Sequence, residues 1–532
     1  MDHRLMASLD DFPFLPLFIT AITIIIITLV TLLTTCRHNR SSASDKKLPP
    51  GPWKLPVIGN LHHLIVGEDL PHRRLRELAE KHGRHIMHLQ LGELSNIVIS
   101  SPEAARQVLK LHDHAFSSRP YLLAGDILFY GTKGIGFTPT GDHWRHMRKI
   151  CVGELLSPKR VLSFRPIRES EASKLVGLVR SRSATGGGID VTMLLASASS
   201  SFTFRTAFGM VKDLDEATFS KLVADISDAA GGFRVSDLFP SLKFLPSLTG
   251  FRAQLTRMHF ATDAMLDDII HEHQAKRLAS KMQAINRSDE TYIDLVDVLL
   301  NLLENPQLPE IPLTMEATKA VILEIFLDGT ETSTTTLEWT MSELMKNPKV
   351  MQQVQEEVRR KFRDKDNPIS EDGLQELKYL DAVIKESLRL HPPLPLLLPR
   401  EGIVRAEIDG YDIPARTRVI INAWAIGRDS RHWKEPDKFY PERFLDDFST
   451  DYKGSDLKFI PFGSGRRSCP GLTFGMAVVK LMLANLLYHF DWKLPAKMNH
   501  EDLDMNERFG ASVRRKHNLC LIPTTYDPLM HN

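Results

Sequence analysis

Apolar positions along the chain fall into three patterns. From Phe12 to Thr35 they form one apolar, uncharged run, long enough at helical rise to cross a hydrocarbon core about 30 Å thick. Between residues 85 and 100 they alternate with polar ones, at Met87, Leu89 and Leu91, and then continue as Ile97-Val98-Ile99 after Asn96. That period predicts a small sheet, with a further strand at Val419-Ile420-Ile421. Elsewhere the spacing is helical, over 141–156, 253–278, 314–346, 348–362, 377–391 and Leu472 to Leu487, with Pro312, Pro348 and Pro392 as starts and stops. The pattern predicts a mainly α architecture with a minor β region.

The flanks of the first run orient it. Asp10 and Asp11 precede it, whereas Arg37, His38, Arg40, Lys46 and Lys47 follow, which predicts a transmembrane anchor with the bulk of the chain in the cytosol. A cleaved signal peptide would have a shorter apolar core followed by small residues, and here Cys36-Arg37-His38 follows instead. Residues 1–40 are therefore expected to be the anchor with its flanks. Residues 41–52 would be a linker ending in the stiff hinge Leu48-Pro49-Pro50-Gly51-Pro52, and 53–532 a single catalytic domain, since no Gly/Ser linker or repeat divides it.

Composition narrows the classes. With 67 basic and 66 acidic residues the chain has no global field to attract nucleic acid, and none is expected as a partner. Four cysteines, at 36, 151, 469 and 520, show neither paired nor zinc-like spacing, so a disulfide framework is not expected. The histidines are scattered, and none is assigned to a metal.

Cys469 stands apart by context. It lies in Phe462-Gly463-Ser464-Gly465-Arg466-Arg467-Ser468-Cys469-Pro470-Gly471, immediately before an apolar helical segment. Pro470 suits a first helical position, and the free amides and positive end of the helix favour a thiolate on sulfur. Gly465 can take a left-handed turn, Gly471 permits close approach of a flat ligand, and Arg467 can reach an anionic group. A buried structural cysteine beside a basic turn is the alternative reading of these residues.

This loop resembles that of the cytochrome P-450 family, Phe-x-x-Gly-x-Arg-x-Cys-x-Gly, matched at Phe462, Gly465, Arg467, Cys469 and Gly471. The resemblance runs from about residue 49 to about 523. It implies the fold of that family behind one N-terminal transmembrane helix, and haem b (iron protoporphyrin IX) with Cys469 as the axial iron ligand.

Four further constellations gain meaning from it. Asp328-Gly329-Thr330-Glu331-Thr332-Ser333-Thr334-Thr335-Thr336 interrupts an apolar helix with hydroxyls that weaken its ladder and can open a groove. Alone it reads as a polar helix face; the resemblance makes Glu331 and Thr332 a proton relay to dioxygen. Glu386 and Arg389, three apart, read alone as a surface pair, but with Arg443 of Pro441-Glu442-Arg443-Phe444 the resemblance implies a buried structural network. Trp144 and Arg148, four apart, would form a cation–π pair or, with Arg400 and Arg467, hold the haem propionates. The run Leu394-Pro395-Leu396-Leu397-Leu398-Pro399 is ordinary core or, at Leu396 and Leu397, the wall of a hydrophobic substrate pocket.

The family usually carries Ala or Gly at the place of Asp328, so a carboxylate there departs from the pattern. It would be protonated, bonded to Thr332 or water, paired with a polar group of the substrate, or turned toward a satisfied structural site. The resemblance implies a haem-thiolate monooxygenase of the endoplasmic reticulum membrane. It would act with O2 on a small hydrophobic plant metabolite, a terpenoid first and a phenolic or alkaloid otherwise. Electrons would come from NADPH through NADPH-cytochrome P-450 reductase, with Lys149, Lys458 and Arg466 as candidate docking charges. A haem-thiolate isomerase or dehydratase, and a non-enzymatic membrane-tethered haem protein, are the rival readings.

Overall fold

The computed structural model describes Thr20, Thr23, Ile24 and residues 47–527, except 66–69, 185, 212–215, 232–233, 283–292, 307–310, 364–368, 448 and 496–497. Apart from the three early residues, which are helical, the expected anchor lies outside the described residues.

Helices dominate. The central helix, Met315–Lys346, begins three residues beyond Pro312, after its cap Thr314, whose hydroxyl accepts from the Ala317 amide at 3.2 Å, and it ends at Asn347, before Pro348 opens the helix Pro348–Lys361. It is buried nearly all round, packed by Val191–Phe208, Leu472–His489 and Lys378–Leu390. A polar run survives in that setting because its hydroxyls turn back onto the preceding turn. Thr334 donates to Thr330 O at 2.9 Å, Thr336 to Thr332 O at 2.8 Å and Thr340 to Thr336 O at 2.6 Å. The helix is uninterrupted through this run, so the expected loosened turn is replaced by hydroxyl back-bonding.

The helix expected over 253–278 extends from Phe251 to Met282. The one expected over 141–156 is regular over Asp142–Ile150 and finishes in a wider turn, Cys151–Leu155. The sheet carries strands in the order Ile86–Leu91, Leu94–Ile99, Arg418–Ile421, Arg400–Glu401. The first pair is antiparallel, Leu91 opposite Leu94; the second parallel, Ile97 opposite Val419; the third antiparallel, Arg400 opposite Val419. Its apolar faces form two clusters beside the main helical core. Smaller hairpins and a three-stranded sheet of Ile189–Asp190, Cys520–Thr525 and Phe490–Lys493 complete the β part. Between the sheet, the central helix and the start of Leu472–His489 lies a cavity of about 330 Å³.

Candidate active site

The Cys469 loop forms one wall of that cavity. Gly465 adopts φ +74°, and a Cβ there would fall 2.4 Å from the Leu109 carbonyl oxygen and 2.7 Å from Asp113 Oδ1, so both conformation and space demand glycine. Asp113 in turn accepts from the Arg466 amide at 3.0 Å and from Arg400 at 3.1 Å. The Cys469 amide closes the loop by donating to Phe462 O at 2.9 Å. Enclosed by protein on its other sides, the Cys469 thiol opens into the cavity, and a Cβ on Gly471 would touch only that sulfur, at 3.8 Å.

One expectation about this loop needs correction. Pro470 lies ahead of the helix, which starts at Leu472 with Gly471 at its cap. Burial pushes the Cys469 thiol up to about 11, against the Gly471 and Leu472 amides and Arg148, while Asp328 across the cavity adds to the rise. The helix end lowers the cost of charge on sulfur, and a bound cation would supply the remainder.

The cavity's basic rim is more crowded than the sequence suggested. Trp144 and Arg148 share one face of Asp142–Ile150, and Arg467 lies 4.0 Å above the Trp144 ring. Arg467 was expected to bind an anion, but most of its donors serve backbone: Nε to Ser117 O at 2.7 Å, and its terminal nitrogens to Ile135 O at 3.1 Å and Thr138 O at 2.7 Å. Arg400 donates to Ser464 O at 2.8 Å besides its pair with Asp113. Arg148 bonds Ser468 Oγ at a longer 3.2 Å, and among the described residues the buried Trp144 Nε1 has no partner.

Arg119, which the sequence reading missed, joins them, bonded to Gly136 O, Leu398 O and Pro399 O, each at 2.8 Å. Burial, then the charges of Arg400 and Arg148, hold Arg467 down to about 9, and burial with Arg467 and Arg400 holds Arg119 well below its usual range. Buried positive charge in excess, beside an orphaned indole N–H, calls for an anion at this end of the cavity. With a thiol on the wall and open space above Gly471, the residues fit an iron porphyrin: sulfur for the metal, and for the propionates Trp144, Arg148 and Arg400 with Arg467, most of whose donors already serve backbone.

The central helix forms the opposite wall. Thr332 Oγ1 donates to the Asp328 carbonyl at 2.5 Å, rather than to its carboxyl as expected. Glu331 accepts from Ser512 Oγ at 2.6 Å and from the Ser227 hydroxyl, with Arg514 Nε 3.5 Å away. Asp328 faces the interior; burial, then Glu331, pushes its carboxyl up to about 7. Glu324, also unforeseen, accepts from the amides of Ile135 at 2.6 Å and Gly136 at 3.1 Å, and burial lifts it to about 8 against those bonds. Leu396 and Leu397 line the apolar side together with Phe462, Phe137 and Ile420.

Behind the cavity, Arg389 makes a two-pronged contact with Glu386 at 2.7 and 2.8 Å, and Arg443 reaches the same carboxylate at 3.1 Å. Glu386 and Arg389 are buried, and the remaining Arg389 donors bond the carbonyls of Gly427, Pro436 and Lys438. Of the candidate docking charges, Lys149 is exposed, Arg466 lies 3.4 Å from Asp113, and Lys458 pairs with Asp447 at 2.9 Å and Asp456 at 3.2 Å.

Comparison with known proteins agrees with this geometry. The family model described as Cytochrome P450 matches residues 49–521. The chain is similar to desmethyl-deoxy-podophyllotoxin synthase of Sinopodophyllum hexandrum, 53% identical with 91% of this chain and 93% of that protein covered. It is similar to premnaspirodiene oxygenase of Hyoscyamus muticus, 48% identical with 92% and 95% covered. Among solved structures, a zebra fish cytochrome P450 with progesterone superposes with a TM-score of 0.71 at 25% identity, covering 86% of this chain and 100% of that one.

Proposed function

The chain belongs to the cytochrome P450 family and is a cytochrome P450 monooxygenase, and from that premise we propose that it places one oxygen atom of O2 into a terpenoid of plant specialised metabolism. Hydroxylation and epoxidation are the two outcomes. Electrons would come from NADPH through NADPH-cytochrome P450 reductase, and the site would face the cytosol on the endoplasmic reticulum membrane. A phenolic or alkaloid is the alternative substrate. The aliphatic wall at Leu396, Leu397 and Ile420 supports a hydrophobic substrate, and the name of the premnaspirodiene oxygenase favours the terpenoid.

One observation carries the reading: the Cys469 thiol, the unpartnered Trp144 N–H and the Thr332 helix all face one cavity. Haem, when bound there, supplies the activation of dioxygen by which one oxygen atom enters the substrate and the other leaves as water. Cys469 offers the sulfur ligand, its charge eased by the amides of Gly471 and Leu472. Trp144, Arg148 and Arg400, with Arg467 beside them, would hold the acidic edge. The Thr332 hydroxyl stands on the wall opposite the sulfur and delivers protons. Glu331 replenishes them through a hydrogen-bonded set, Ser512 and Ser227, that lies beside the Arg514–Asp228 pair at 3.0 Å.

The test has two parts. Reduced protein under carbon monoxide should show the red-shifted Soret band of thiolate ligation, and Cys469→Ala should abolish it; a band retained in the variant refutes the ligand assignment. Microsomes with reductase, screened against terpenoid, phenolic and alkaloid candidates by mass spectrometry, should yield an NADPH-dependent product gaining one oxygen.

A further inference from the structure

Three carboxyl groups point from the central helix into the cavity, at positions 324, 328 and 331, a spacing that puts them on one helix face. Two are fully engaged by the protein. Glu324 is held by the Ile135 and Gly136 amides, and it fills the space where a Cβ on Gly134 would fall 2.2 Å from its Oε2. Glu331 is held by Ser512, Ser227 and Arg514. Asp328, between them, differs: among the described residues its carboxyl has neither a hydrogen-bond donor nor an ion-pair partner, and the Thr332 hydroxyl bonds to its backbone carbonyl instead.

The residue is exposed to the open cavity, so its carboxyl is accessible to a ligand, and a helix that engages its two neighbours so completely leaves this group for something else. Its position restricts what that is. It lines the cavity one turn before Thr332, where the central helix packs on the segment that follows the Cys469 loop: a Cβ on Gly475 would fall 3.6 Å from Ser333 Oγ.

Resting on the reading of this cavity as the substrate site, we propose that Asp328 sets specificity by accepting a hydrogen bond from a hydroxyl already carried by an otherwise apolar substrate. The hydroxyl holds one end of the molecule at Asp328 while the rest lies against Leu396, Leu397 and Phe137, so a neighbouring carbon is presented for oxidation. The enzyme would then act on a product of an earlier hydroxylating or alcohol-releasing reaction, and not on the parent hydrocarbon.

The test uses the haem-loaded full chain and two probe pairs, each a skeleton with and without one hydroxyl: a bicyclic sesquiterpene hydrocarbon with its alcohol, and a methylated biphenyl with its hydroxymethyl derivative. Binding is read from the substrate-induced Soret shift in wild type, Asp328→Ala and Asp328→Asn. Wild type should bind the alcohol of a pair about tenfold more tightly than the hydrocarbon; Asp328→Ala should lose that preference and Asp328→Asn keep part of it. The resting Soret band should be the same in all three.

A preference that persists in Asp328→Ala, or a wild type without one, overturns the proposal. So does a resting band that moves on substitution, which would place the carboxyl on the metal instead. Discrimination seen only with the biphenyl pair leaves Asp328 standing and overturns the terpenoid reading. A wild type that responds to no probe overturns both.

Discussion

At the residue scale the site divides between groups that serve the protein and groups left over for something else. Arg467 and Arg119 bond carbonyls contributed by segments hundreds of positions away, such as Leu398 and Pro399. No local pattern announces such bonds, and for that reason Arg119 was missed and Arg467 was read as a free donor. Glu324 was missed similarly, because a lone acid on a helix reads as a solvated face until Gly134 and Gly136 are seen to pack on it. Cys469 and Gly465 were legible because their constraints are local: a positive φ, a helix end, a loop closed on itself. Trp144 Nε1 is the clearest group left over, and a charge-assisted bond from it to a propionate is worth about 1.5–3 kcal/mol. Trp144→Phe, which keeps the ring beneath Arg467, should therefore speed haem loss to an excess of apomyoglobin roughly tenfold. An unchanged rate would mean that the indole N–H faces water. Thr332→Ala should leave haem binding and the Soret shift intact but lower product formed per NADPH oxidised severalfold, the difference appearing as peroxide. Unchanged coupling would make Thr332 a packing residue.

At the element scale, boundaries followed prolines and caps, so Met315–Lys346 and Lys378–Leu390 fall within a residue or two of their predicted spans. What periodicity could not show is how helices are tied together by polar groups in the interior. His273, on Phe251–Met282, is an instance: Nδ1 faces the Ile269 carbonyl at 2.8 Å and Nε2 faces Asp294 Oδ2 at 2.9 Å. Asp294 is itself the cap of Leu295–Glu304, accepting from the Asp297 amide at 2.9 Å. Both ring nitrogens meet acceptors, so the imidazole is doubly protonated and joins the two helices as a buried ion pair. Burial opposes that charge, but the Asp294 bond and charge, with Ile269 and Asp297, outweigh it and hold the His273 pKa above its ordinary value. A raised histidine contributes stability that is complete below pH about 6.5 and is lost as pH rises through the folded pKa. Thermal melts of the holoenzyme should show the midpoint falling across that alkaline step, and His273→Gln should flatten it while lowering the plateau at acid pH. A variant whose melts keep the wild-type pH slope would assign the step to another group.

At the scale of the whole molecule, the proposed attachment to a membrane needs an apolar element to carry it. One helix among the described residues, Leu472–His489, has the length and hydropathy to span a bilayer, but 72% of it is buried, and it begins three residues beyond Cys469, so it belongs to the core. We therefore assign the proposed attachment to Phe12 to Thr35, with the surface as the alternative. A run of that length rises about 36 Å as a helix, enough for a hydrocarbon core of about 30 Å. The surface offers less. Trp53, Val57, Phe244 and Leu248 are 63%, 61%, 60% and 77% exposed. Gly92 N bonding to Ile58 O and Glu93 N bonding to Leu238 O bring their two segments to one end of the sheet. Each such side chain is worth about 1.5–3 kcal/mol on transfer to an apolar phase, enough together for reversible contact but far short of a spanning helix. Deleting residues 1–40 should accordingly convert a carbonate-resistant protein into one that sediments partly with membranes at neutral pH and is released by carbonate. The carbon-monoxide spectrum should be unchanged, because the hinge and every residue lining the cavity remain. Replacing Phe244 and Leu248 by Ser in the truncated chain should then free most of it without carbonate. Carbonate-resistant pelleting of the truncated chain would show that the surface alone inserts, and loss of the haem spectrum would show that the first 40 residues pack into the catalytic domain.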